Sequence, residues 1–235
     1  MNRTLAVARM QLVNKQTFIW VPLLIIAGAF VVSWLIYFII TSAMGDAPAR
    51  GQGFNGASQA ALWYFLVIGV QAMSLTFPFS QAMSVTRRTF YLGTGLLAAG
   101  TGAVLATLYT LLAVPELATG GWGVGSYMFA VPWVTDGAWY EGWLFFFAVT
   151  LLVFVLGFWV ATIYKRFGST VLTTLLMGLA LAIVALIALV TWQGWWGNVG
   201  AWFAAQTPLT MALWMLALTV ALGISSYGTL RRATP

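Results

Sequence analysis

Long apolar runs separated by short polar breaks dominate this sequence of 235 residues. A helix that crosses the roughly 30 Å hydrocarbon core of a bilayer needs about 20 mainly apolar residues. Six segments meet this requirement without containing Asp, Glu, Lys or Arg: Phe18–Thr41, Leu62–Ala82, Leu92–Val114, Trp143–Ile163, Val171–Trp192 and Pro208–Gly228. The pattern predicts an all-α polytopic membrane protein in which residues 18–235 form a single domain of six transmembrane helices.

The boundary between the last two spans depends on the segment 193–207, since residues 167–230 contain no charge. This break is rich in Gly and Trp, and Pro208 follows it. One interpretation is an aromatic belt at the membrane surface, where Trp is enriched. The other is a re-entrant segment that dips back into the membrane. Its candidate residues are Trp195, Trp196, Asn198 and Trp202.

The charges agree with six spans and place both ends of the chain on the cytoplasmic side. Only 6% of the residues are charged and 62% are hydrophobic, whereas soluble domains carry about 25% charged residues. Six spans put nine basic residues and no acid on one face: Arg3, Arg9, Lys15, Arg87, Arg88, Lys165, Arg166, Arg231 and Arg232. The other face receives Arg50 and all four acids, Asp46, Glu116, Asp136 and Glu141. Cytoplasmic segments are the basic ones in membrane proteins.

The segment 1–17 precedes the first span and is predicted to form an interfacial amphipathic helix. In a helical projection Leu5, Leu12 and Val13 share one side, which Arg9 interrupts, and Arg3, Gln11, Asn14 and Lys15 fall on the other. A basic helix of this kind fits the surface of the inner leaflet. The alternative is a disordered, positively charged start.

The side chains that chemistry usually needs are missing. Cys and His are absent, and no G-x-x-x-x-G-K-[ST] loop is present, so a thiolate or histidine metal site and a P-loop are ruled out. We therefore expect no catalytic residues, no cofactor and no metal in this chain. The spans also lack the ionisable groups of proton-driven transporters. Uphill transport would need energy from a partner.

A polar stripe in the second span carries Gln71, Ser74, Pro78 and Gln81, spaced by three, four and three residues. This spacing places them on one face of an α-helix. They are candidates for lining a translocation path. Hydrogen bonding between neighbouring helices would explain them equally well.

The connection 83–91 reads Met-Ser-Val-Thr-Arg-Arg-Thr-Phe-Tyr and is followed by Leu92 and Gly93. Thr86 is expected to cap a short helix that begins at Arg87. With the basic N-terminal segment, the six spans and the Gly/Trp-rich outer segment, this loop resembles the membrane subunits of ABC transporters of the type-2 exporter class. The two arginines have a simpler explanation as anchors on the cytoplasmic side.

The resemblance implies a subunit of an ATP-driven exporter that forms the translocation path. A separate cytoplasmic ATPase subunit, which would bind ATP and Mg²⁺, would dock on the loop 83–91. The coupling residues implied by the resemblance are Val85, Thr86, Arg87, Arg88, Phe90 and Tyr91. A second membrane subunit, identical or different, would pair through spans two and five in a bacterial cell membrane.

Two other functions remain open from the sequence. One is a membrane scaffold, sensor or immunity factor that needs no path. The other is a passive channel or facilitator. A path without charges suits a hydrophobic or amphipathic substrate, and the apolar surface makes lipid the surrounding partner rather than nucleic acid.

Overall fold

The computed structural model describes residues 3–12, 14–45 and 56–231, and this part of the chain is helical and contains no strand. The prediction of an all-α protein is confirmed. The helices, in chain order, are α1 (Arg3–Leu12), α2 (Val21–Met44), α3 (Gln59–Gln71), α4 (Phe77–Ala82), α5 (Arg87–Ala118), α6 (Trp139–Trp192), α7 (Trp196–Ala204) and α8 (Pro208–Leu230). A π-helical turn at Gln16–Trp20 extends α2 at its N-terminal end, and a second π-helical turn at Ala72–Thr76 joins α3 to α4.

Five of the described helical segments are long and apolar enough to cross a membrane: Gln16–Met44, Gly56–Ala82, Arg87–Ala118, Trp139–Trp192 and Pro208–Leu230. They contain all six predicted spans, because the fourth and fifth both lie in α6. A straight helix of 54 residues would be about 80 Å long, more than twice the thickness of the hydrocarbon core. The helix is not regular throughout, since Gly168 has a φ of 82° and a ψ of 178°.

Some sequence predictions fall on residues outside the described part. Asp46, Arg50 and Arg232, which enter the charge distribution, and Val13, which enters the amphipathic helix, are among them. The side chain of Arg3 is likewise not described. The other basic and acidic side chains can be placed.

The centre of the bundle is a crossing of α3 and α6 at two glycines. A Cβ atom added to Gly69 would lie 2.1 Å from the carbonyl oxygen of Phe154, and one added to Gly157 would lie 2.1 Å from that of Leu66. The two backbones therefore touch without an intervening side chain. Small residues at such crossings let membrane helices gain van der Waals contact.

The α5 helix packs against α6 and α1. Gly102 faces Thr150 of α6, and Gly93 faces Val7 of α1. The ring of Tyr109 stacks on Phe146 at 4.9 Å between ring centroids. Its hydroxyl donates a hydrogen bond to the carbonyl oxygen of Ser58, 2.7 Å away. These contacts attach α1, α3 and α6 to one long helix.

Helix α1 does not divide into the two faces that the sequence predicted. Gln11, assigned to the polar side, is 4% exposed, and its Nε2 donates a 2.8 Å hydrogen bond to Oγ1 of Thr94. Val7 and Ala8 are buried beside it, whereas Leu5 is 45% exposed. The predicted faces assumed that each side chain meets either lipid or water, but Val7 and Gln11 pack against α5 instead.

The connection between α5 and α6 is folded into the bundle around Glu116. This glutamate belongs to α5 rather than to the outer loop, and its side chain is fully buried. Its carboxylate accepts hydrogen bonds from the indole N–H of Trp122 and the backbone N–H groups of Met128, Phe129 and Ala130. Four donors offset the cost of burying the charge.

We predict that Gly157→Ala destabilises the protein by about 1–3 kcal/mol, because the added methyl group must push two backbones apart. Gly178→Ala in the same helix is the matched control, since its Cβ would meet nothing within 4 Å. In a helix interior this control should gain about 0.5–1 kcal/mol. Reversible unfolding in mixed micelles would measure both changes. Equal shifts for the two variants would contradict the close crossing.

We also predict that Glu116→Gln unfolds the connection 119–138. The amide would turn an NH₂ group toward backbone donors, with an expected loss of about 3 kcal/mol. Chymotrypsin should then cleave after Tyr127 or Phe129, which are 8% and 2% exposed in the native protein. Glu141→Gln is the control, and protection equal to that of the native protein in the Glu116 variant would overturn the prediction.

Candidate functional site

The loop before α5 forms a tight turn and a capped helix start. Ser84 has a φ of 59°, and Thr86 adopts an extended conformation as the N-cap of α5. The hydroxyl of Thr86 accepts a hydrogen bond from the N–H of Thr89 at 3.2 Å. The predicted cap is confirmed, but the helix that begins at Arg87 is not short. It contains 32 residues and ends at Ala118, so this loop leads directly into a helix that is long and apolar enough to cross a membrane.

Arg87 holds the end of α8. Its Nη1 donates hydrogen bonds to the carbonyl oxygens of Leu230 and Arg231, at 3.3 and 2.7 Å. These carbonyls lie at a helix C-terminus, where a cation is favourable. One turn further along α5, the hydroxyl of Tyr91 donates to the carbonyl oxygen of Gly223 at 2.8 Å. Two of the six predicted coupling residues therefore bind α8.

The remaining coupling candidates divide between core and surface. Phe90 is fully buried and packs edge-to-face on Phe77, with 5.2 Å between ring centroids. Its ring is not on the surface, so it offers no apolar contact to a partner in this structure. Arg88 is exposed, and Val85 is partly buried. Arg88 is thus the arginine of this pair that faces outward.

A surface groove of about 450 Å³ runs between this loop and α1. The loop contributes Met83, Ser84, Val85 and Thr86, and Thr89 comes from α5. Helix α1 contributes Ala6, Val7 and Met10. The groove brings the predicted docking loop together with the N-terminal helix.

The predicted polar stripe is altered by the π-helical turn Ala72–Thr76. A π turn contains more residues than an α turn, so it changes the faces on which residues before and after it lie. Gln71 lines a cavity of about 140 Å³ between the second span and the N-terminal segment. Gln11, Asn14, Thr17 and Thr76 also line it.

The other stripe residues do not line this cavity. Ser74 and Pro78 are partly buried. The Nε2 of Gln81 donates a hydrogen bond to the carbonyl oxygen of Val85 at 3.0 Å, which ties α4 to the following loop. Only Gln71 of the four borders the cavity, so the structure does not bring them together as one wall.

The segment 193–207 contains the short exposed helix α7. Nine residues reach about 13 Å, too short to cross the hydrocarbon core. Trp195, Asn198 and Trp202 line a shallow pocket of about 290 Å³, while the indole N–H of Trp196 donates to Thr191. The four candidate residues lie close together in the chain and on one helix and its start. Whether they enter a membrane stays a prediction.

Glu116 and Gln11 are the polar residues whose environments the sequence did not reveal. A signal for Glu116 existed, since an acidic residue near a helix C-terminus is unfavourable for its own helix dipole. Such a residue suggests donors from another segment. Gln11 gave no comparable signal.

Searches of known protein families, of curated proteins and of solved structures found no match to this chain.

Proposed function

We propose that the chain crosses the membrane six times with both ends in the cytoplasm. The irregular backbone at Gly168 would turn α6 back on itself and divide it into two spans. Lys165 and Arg166 lie next to this point, so the turn would face the basic side. Helix α1 would then lie along the inner leaflet.

Single cysteines test this topology directly, because the chain has none of its own. In intact cells, a membrane-impermeant maleimide should label Trp139→Cys and Asn198→Cys but not Lys15→Cys or Ser169→Cys. All four positions are exposed in the structure, and all should react after permeabilisation. Labelling of the Ser169 variant from outside would exclude the turn at Gly168 on the cytoplasmic side.

We propose that this protein is the membrane subunit of an ATP-driven exporter and couples to a separate ATPase subunit. The main supporting observation is the groove between α1 and the loop before α5. Thr89, near the start of the continuous helix α5, lines this groove, and the neighbouring Arg88 is exposed. The groove itself is lined by apolar and hydroxyl side chains, so a partner would bind there by shape and apolar contact, and by charge at Arg88 outside it. Movement at this site would pass into a membrane span without an intervening loop.

A second membrane subunit fits the large apolar surface of the last third of the chain. No residue from Tyr164 to Thr207 is buried. Ile183, Val184 and Leu186 are 53%, 62% and 64% exposed. In the second span, Trp63 and Leu75 are also more than half exposed. The proposed pairing would use spans two and five, and lipid would cover what the partner leaves free.

The proposed coupling predicts co-purification of an ATPase with this chain from its native membrane. Peptide mass spectrometry should identify a G-x-x-x-x-G-K-[ST] sequence in the partner. Arg88→Glu should lower its recovery about tenfold, a change of about 1.4 kcal/mol, because it reverses a rim charge. Arg88→Lys retains the charge and should retain most of the partner.

Arg87→Glu serves as the contrasting variant, since it removes the hydrogen bonds to the end of α8 and should lower stability as well as binding. A membrane scaffold or sensor would show no ATPase in the purified complex. A channel or facilitator would give full flux in liposomes that contain only this chain. Either result would overturn the proposed function.

A further inference from the structure

An apolar groove of about 650 Å³ opens between α1, the beginning of the first span and α5. It is separate from the surface groove at the loop before α5 and from the cavity beside Gln71. Its lining includes Leu5 and Leu12 of α1, Pro22 and Ile26 of the first span, and Leu97 and Leu108 of α5. Arg9 and Thr101 are the lining residues with polar side chains.

The groove has the length of one lipid leaflet. On α5 it extends from Leu96 to Leu108, which corresponds to about 18 Å along a helix. One leaflet contributes about 15 Å of the roughly 30 Å hydrocarbon core. Helix α1 crosses α5 at Gly93 and Thr94, so it closes the end of the groove nearest the start of α5.

Arg9 provides a positive charge at that end. Its side chain is exposed, and no described residue accepts a hydrogen bond from it or pairs with it as an anion. By contrast, the hydroxyl of Thr101 already donates to the carbonyl oxygen of Leu97 at 2.9 Å. An exposed arginine at this end of the groove is therefore left to pair with an anion outside the described part of the chain.

We propose that this groove binds one anionic phospholipid from the leaflet next to α1. An acyl chain would lie along α5 between Leu96 and Leu108, and the phosphate would pair with Arg9. The guanidinium fork matches phosphate oxygens in a bidentate geometry, and its aliphatic stem can lie on apolar surface. The binding does not depend on the export function. Only the identification of the leaflet as cytoplasmic rests on the proposed topology.

Native mass spectrometry of the purified full-length chain tests the charge. The delipidated protein would be mixed with equal amounts of dioleoyl phosphatidylglycerol and dioleoyl phosphatidylcholine. One phosphatidylglycerol should bind in preference. Arg9→Gln should weaken its binding about fivefold, the effect of one basic residue at an anionic headgroup. Lys165→Gln, which removes the same charge elsewhere, should leave binding unchanged. Equal affinity for the two lipids, or equal loss in both variants, would overturn the proposal.

Two glycines of α5 test the acyl-chain position independently of charge. A Cβ on Gly100 or on Gly95 would meet nothing within 4 Å, so a larger side chain fits at both positions. Gly100 lines the groove and Gly95 does not. Gly100→Phe should therefore abolish binding of the single phosphatidylglycerol, and Gly95→Phe should preserve it. Binding retained in the Gly100 variant would place the lipid elsewhere.

Discussion

The crossing of α3 and α6 at Gly69 and Gly157 is the contact on which the bundle depends. In a membrane, apolar side chains gain little by leaving lipid for protein, so association relies on close packing and on polar contacts. With the two backbones in contact, α6 can present Thr150 to α5 and Trp159 to α8. The indole N–H of Trp159 donates to Ser225 at 3.1 Å. The first half of α6 therefore positions three other helices.

At each end of α5, a charged residue type binds the backbone of another segment. Arg87 at its start and Glu116 near its end both carry the charge that their own helix dipole disfavours. Each is satisfied elsewhere, Arg87 by carbonyls at the end of α8 and Glu116 by three backbone N–H groups and an indole. One continuous helix thus joins the end of α8 to the connection between α5 and α6.

Hydropathy was sufficient to predict the helical class and the position of each apolar run, because span length follows from membrane thickness. It made the helices too short: α5 begins at Arg87 and ends at Ala118 rather than running from Leu92 to Val114. The extra turns are amphipathic or contain charge, so an apolar window cannot detect them. A helix cap depends on residues that are neighbours in the chain, so the sequence predicted the N-cap at Thr86.

The sequence did not predict features that depend on irregular helix geometry or on how the helices pack against one another. The spacing of Gln71, Ser74, Pro78 and Gln81 assumed a regular α-helix, and a π turn between them invalidated that geometry. Gln11 was assigned to a polar surface because its partner Thr94 is 83 residues away. Phe90 was assigned to a docking surface for a similar reason, since its packing on Phe77 across the loop has no periodic signature.

The basic residues that the sequence analysis assigned to a single face make different contacts in the structure. Arg87 is bound to the protein and sets the position of α8, whereas Arg9 and Arg88 face outward from α1 and α5. These two helices meet at Gly93, and their outward arginines border different surfaces. In the proposed exporter, a lipid at Arg9 and an ATPase at Arg88 would therefore act on different surfaces near the same helix contact. Because α5 continues to Glu116, a displacement at that contact would be transmitted along one continuous helix to the connection between α5 and α6.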